Sequence, residues 1–166
     1  KNEFDELTAY AHQLDQIKQI QKWDGTYYSE KLKKEKFAID DELLRPYFQL
    51  ENVVDGVFKT AQKLFGITFK QRNDIDVYHE DVITYEVLSD KNEHLAVFYA
   101  DFFPRPGKRQ GAWMTSFRSQ QIEDNRNIRP HVSIVCNFTK PTDELPSLLS
   151  FQEVTTLFHE FGHALH

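Results

Sequence analysis

Three residues close to the end of the chain have the types and spacing to hold a metal ion and put it to use: His159, Glu160 and His163, in the run His159-Glu160-Phe161-Gly162-His163. On a helix, residues four apart lie about 40° apart around the axis and ~6 Å apart along it, so both imidazoles can reach one ion. Glu160, one position further on, is too far round to be a close third ligand. It can still reach a water beside the ion, which is where a general base has to be. The pattern is expected by chance in well under about 1% of chains this long. The competing reading is such a chance match on an ordinary helix.

A catalytic zinc ion takes three protein ligands and keeps one position open for water. The sequence offers two in recognisable form, and the third is missing. His166 lies seven residues past His159 and points to nearly the same side, but ~10 Å further along the axis. It is expected to line the cleft or support the ligands. His12, His79, His94 and His131 lack ligand spacing and are assigned surface or core roles.

These side chains need a rigid carrier. Ser150 and Glu153 stand at the cap and third positions of a capping box, which starts a helix there. Val154, Leu157, Phe158, Phe161, Ala164 and Leu165 make an apolar side that would dock on a sheet. Gly162 costs roughly 1 kcal/mol against alanine inside a helix, and close approach of a neighbouring strand would explain it.

The sheet is read from β-branched and aromatic runs: Ile67–Phe69, Val82–Leu88, Leu95–Tyr99, a short Gly111–Met114 and His131–Phe138. Ser89–Glu93 joins two of them as a hairpin, and Pro104–Lys108 is a loop. Gly111-Ala112-Trp113 reads equally as an edge strand that could take an extended peptide and as an ordinary strand with Trp113 in the core. Upstream the period is helical. Phe4, Leu7, Tyr10, Ala11, Leu14, Ile17 and Ile20 form one stripe, and Tyr27 to Ile39 a second helix capped by Thr26. Asp40-Asp41-Glu42 starts a short third helix, ending near Arg45-Pro46. A fourth runs from a cap at Asn52 to Gly66. The fold class is therefore α+β: a helical segment over residues 1–66, then over 67–166 a small antiparallel or mixed sheet and the zinc-binding helix.

Composition narrows the partners. With a net charge of −6, the chain lacks the basic footprint of a nucleic-acid binder. The one basic run, Lys31 to Lys36, is broken by Leu32 and Glu35 at helical spacing and reads as a solvated helix face. No apolar run approaches the ~18 residues of a membrane span, so no membrane partner is expected. Oligomeric state is left open. Cys136 sits in an apolar run and reads as a buried structural thiol, which suits a reducing compartment, with the cytoplasm expected. The N-terminus has neither Met nor a signal-peptide pattern, and we expect a piece of a longer protein.

From Thr155 to His166 the sequence resembles the active-site helix of the thimet oligopeptidase family of zinc metallopeptidases, closest to its bacterial peptidyl-dipeptidase branch. The likeness extends back through Trp23-Asp24 with Tyr27-Tyr28-Ser29-Glu30, Arg45-Pro46-Tyr47-Phe48, Asp76-Val77-Tyr78-His79, Phe98 to Phe103 and Gly111-Ala112-Trp113-Met114. The resemblance implies a large, mostly helical zincin-like enzyme with a deep channel, acting on short peptides and releasing C-terminal dipeptides. It implies that His159 and His163 bind Zn2+, that Glu160 is the general base, and that the third ligand is a glutamate on a following helix. Substrate-binding residues are not assigned, and this chain alone is expected to be inactive. Other readings are an oligo-endopeptidase of the same family and a non-catalytic peptide-binding module.

Overall fold

Local signals set most of the elements, and long-range pairing sets how they assemble. The computed structural model describes residues 2–38 and 41–166, so Ile39 and Asp40 in the second and third helix readings lie outside the described residues. By contacts the chain divides into two compact units, Lys1–Leu43 and Leu44–His166.

The first unit pairs α1 (Asn2–Asp15) with α2 (Gly25–Phe37). Ala11, Ile20 and Tyr28 form its core, with Leu7, Tyr10 and Ile17 packed against them. The Tyr28 hydroxyl donates to Asp15 Oδ2 at 2.9 Å. The apolar stripe outlasts its helix: Gln16 turns to φ +57 and ends α1, while Ile17 and Ile20 reach the core from the connection. Thr26 is not the cap of α2. The helix begins at Gly25 with Asp24 in the cap position, and Asp24 Oδ2 accepts instead from the Gln21 N–H at 3.0 Å. The basic run is engaged within the unit, with Lys31 over the Tyr27 ring at 4.5 Å and Lys36 paired with Glu6.

After the short α3 (Asp41–Leu44) comes a 3-10 turn at Arg45–Tyr47, with Pro46 inside it. Then α4 (Leu50–Phe65) starts two residues before the Asn52 expected to cap it, and ends at Gly66 in the left-handed region, φ +69. The cause of the early start is tertiary. The Leu50 N–H donates to Ser147 O at 2.9 Å and the Leu149 N–H to Phe48 O at 2.8 Å, so the approach to α4 pairs with the approach to the last helix.

The sheet is mixed. β1 (Thr68–Arg72), β2 (Ile83–Leu88) and β3 (His94–Asp101) run antiparallel, β7 (His131–Val135) joins β3 in parallel, and β4 (Trp113–Arg118) pairs antiparallel with β7 at the free edge. A separate hairpin, β5 (Gln121–Glu123) with β6 (Arg126–Ile128), turns through Asp124 and Asn125, both at positive φ. One sheet face carries the core: Val87, Phe98, Ala100 and Ile134 meet Val53, Val57 and Ala61 of α4 and Leu157 and Phe161 of α5 (Phe151–Leu165). Phe58 stacks on Phe69 with centroids 4.1 Å apart and lies 6.0 Å from Phe161. α4, grouped with the helical segment in the sequence reading, thus has its apolar side on the sheet.

Candidate metal centre and active site

The start of α5 is fixed as its sequence implies. Ser150 Oγ accepts from the Glu153 N–H at 3.2 Å, and Glu153 Oε2 accepts from the Ser150 N–H at 2.7 Å. Arg45 reaches the same carboxylate at 3.6 Å. The helix lies against β7, β4 and α4. Its apolar side is only partly docked: Leu157 and Phe161 are buried, whereas Phe158 and Leu165 are 40% and 37% exposed. With α4 they border a groove of about 420 Å³, lined also by Leu64, Phe65, Gly162 and His166. The expected reason for Gly162 does not hold among the described residues, where a Cβ placed there would meet nothing within 4 Å.

His159 and His163 project from the exposed side of α5. Their Nε2 atoms stand 3.1 Å apart and their rings are nearly perpendicular, at 88°. Two nitrogens each at about 2.0–2.1 Å from a tetrahedral zinc ion would be ~3.3 Å apart. The pair is therefore at chelating separation, and the residues fit the ion. In the direct contact one Nε2 donates and the other accepts; to hold an ion, both rings would have to present an Nε2 lone pair, with their protons on Nδ1. Among the described residues, no group of three or more His, Cys, Asp or Glu is gathered to hold a metal.

Glu160, next to His159 on the same helix, is half-buried. Burial pushes the Cys136 thiol up to about 12, against the pull of Lys108, and the nearby Glu160 carboxylate adds to the rise. Cys136 is fully buried, as expected of a structural thiol. His166 closes α5 with its N–H on His163 O at 3.3 Å and lines the groove. The other histidines lie elsewhere. His94 contacts Glu86 at 3.0 Å, His131 contacts the Tyr99 hydroxyl at 3.2 Å, and His79 Nδ1 accepts from the Asp81 N–H.

The expected Gly111–Met114 strand is met only in its second half: Gly111 and Ala112 lie outside it, and β4 starts at Trp113 and runs on to Arg118, at the sheet edge and next to α5. Trp113 is half-buried under the Arg109 guanidinium at 4.4 Å. One cluster escaped the sequence reading. Asp101, 1% exposed, accepts from Arg105 Nη1 and Nη2 at 2.8 and 2.9 Å, from Lys108 Nζ at 2.9 Å and from the Tyr78 hydroxyl at 2.9 Å. The signal available was a carboxylate at a strand end with cations four and seven residues on.

With this geometry in place, the whole chain, residues 1–166, matches Peptidase family M3. The chain belongs to that family. It is 48% identical over 148 residues to a dipeptidyl carboxypeptidase of Salmonella typhimurium strain LT2, covering 89% of this chain and 22% of that protein. To a dipeptidyl carboxypeptidase of Escherichia coli K12 it is 44% identical, covering 98% and 24%. To oligopeptidase A of Escherichia coli K12 it is 41% identical, covering 100% and 25%. The chain spans about a quarter of the length of these curated relatives. M3 proteins are metallopeptidases, generally dependent on zinc.

Proposed function

We propose that this chain is the part of an M3 zinc peptidase that carries two metal ligands and the general base, in an enzyme that hydrolyses short peptides and releases C-terminal dipeptides. The observation that carries the reading is the His159–His163 Nε2 separation of 3.1 Å with Glu160 adjacent on the same helix. In this reading His159 and His163 hold zinc, and a ligand from beyond this chain completes the set. When bound, the ion acts as a Lewis acid that acidifies water and polarises the scissile carbonyl. Glu160 accepts the proton of the attacking water and returns it to the leaving amine nitrogen. The backbone of β4, with one side unpaired in the sheet, receives the peptide as an added strand. A cytoplasmic setting suits the buried thiol of Cys136.

Release of dipeptides is favoured by the 48% identity to a protein named dipeptidyl carboxypeptidase. The second reading, oligo-endopeptidase, draws on the likeness to oligopeptidase A along the whole chain. Mass spectrometry on a series of N-acetylated peptides of increasing length, digested by the full-length enzyme, separates the two. Peptidyl-dipeptidase activity yields the C-terminal dipeptide at every length and spares peptides whose C-terminus is amidated. Internal cuts in both series would overturn it in favour of the endopeptidase.

A further inference from the structure

Asn137 lies one residue beyond Cys136, on a part of the chain with little freedom to move. The Cys136 N–H donates to Asp101 O and the Phe138 N–H to Phe102 O, both at 2.8 Å, so the parallel pairing with β3 continues on either side of it. From this fixed position Asn137 reaches into the segment that leads to β4. Its Nδ2 donates both protons, to Arg109 O at 2.9 Å and to Gly111 O at 2.8 Å. Gly111 has φ +95, a conformation open to glycine and strained for other residues. The two bonds hold that kink at the point where the chain enters the edge strand, and Arg109, gripped by the same amide, covers Trp113.

The arrangement does not serve the side chain's own hydrogen bonding. Asn137 Oδ1 is buried and has no partner among the described residues, which for an amide acceptor is a net cost. The carboxamide is oriented for the two carbonyls it clamps. An added strand bonds only to a partner whose free N–H and C=O groups stand at the right pleat and height, and a one-residue slip reverses which groups face outward.

We propose that Asn137 is a positioning residue for peptide binding: its carboxamide sets the Arg109–Gly111 kink and thereby the register in which β4 presents its backbone to the substrate. This rests on the reading of β4 as the substrate strand. Asn137 touches neither the reacting atoms nor the metal, so its effect falls on KM, with kcat little changed.

The test uses the full-length enzyme and a set of peptides, each N-methylated at one successive backbone nitrogen. Where a substrate N–H bonds to β4, methylation raises KM for the wild type. Asn137→Ala is expected to raise KM for the unmethylated peptide about tenfold, with kcat within about twofold. For the peptide methylated at the most sensitive position it should add little, because the bond it misplaces is already absent. An equal rise in KM for both peptides, or a fall in kcat alone, overturns the proposal and leaves Asn137 a structural residue. If no methylated position affects the wild type, the reading of β4 itself fails, and this inference fails with it. Asn137→Ser, which keeps one donor, carries the same comparison should the alanine variant not fold, with an intermediate rise in KM expected and an unchanged KM contradicting the proposal.

Discussion

At Asp101 every part of a polar cluster is matched from within: two oxygens take the Arg105 fork, the Lys108 ammonium and the Tyr78 hydroxyl, and the Lys108 side chain is 3% exposed. His159 and His163 are exposed, and the contact between the two rings joins the same Nε2 atoms that would hold an ion. Both clusters are attached to the same sheet. The first is closed, because a charge removed from water must be paired where it stands. The second is open, which suits the metal-binding role proposed for it, because groups that take up an ion must be reachable. A satisfied network fixes a loop; an unsatisfied one is available for chemistry.

That contrast is sharpest in stability. Asp101→Asn keeps the shape and strands the buried Lys108 ammonium without its carboxylate, and we expect a loss of about 3–5 kcal/mol in urea unfolding. Burial pushes the Asp101 carboxyl up, but Arg105, Lys108 and Tyr78 outweigh it and hold the group below the usual range. Its contribution is thus complete above the unfolded carboxyl pKa, about 4, and drains away as pH falls through the lower folded value. The gap between wild type and Asp101→Asn should narrow in acid over that window. A gap that widened in acid would mean that the carboxyl is not held in its charged form.

Smaller effects test whether α5 is held as described. Ser150→Ala removes the cap oxygen and should cost about 1 kcal/mol. A change near zero would show that Arg45 and the paired approach strands hold the helix start without the capping box. Gly162→Ala should stabilise the chain by up to about 1 kcal/mol, read as a higher thermal midpoint, since none of the described residues stands where the methyl would go. A lower midpoint would mean that this flank of α5 is occupied.

The parts legible in the sequence are those fixed by near neighbours. Ser150, Glu153 and the histidine spacing act within α5 itself, and Gly66 ends α4 through its own backbone freedom. Elsewhere distant segments decide. α4 begins at Leu50 because Phe48 and Leu50 pair with residues 147–149, a hundred positions away. The placement of β7 between β3 and β4, one neighbour parallel and the other antiparallel, leaves no periodic trace. The β5–β6 hairpin was missed because Gln121-Ile122-Glu123 and Arg126-Asn127-Ile128 bury almost nothing; Asp124-Asn125, two residues that tolerate positive φ, was its signal. The Asp101 cluster was missed because a loop rich in proline, glycine and cations reads as solvent-exposed until a carboxylate is found beneath it.

The central claim is that Glu160 moves the proton while His159 and His163 hold the ion, and one substitution separates those roles. In the full-length enzyme, Glu160→Gln keeps the size of the side chain and removes the base. Turnover of a peptide substrate should fall by about 10²–10⁴-fold, with zinc measured on the same dialysed sample still at one equivalent. Near-normal turnover with zinc retained would contradict the assignment.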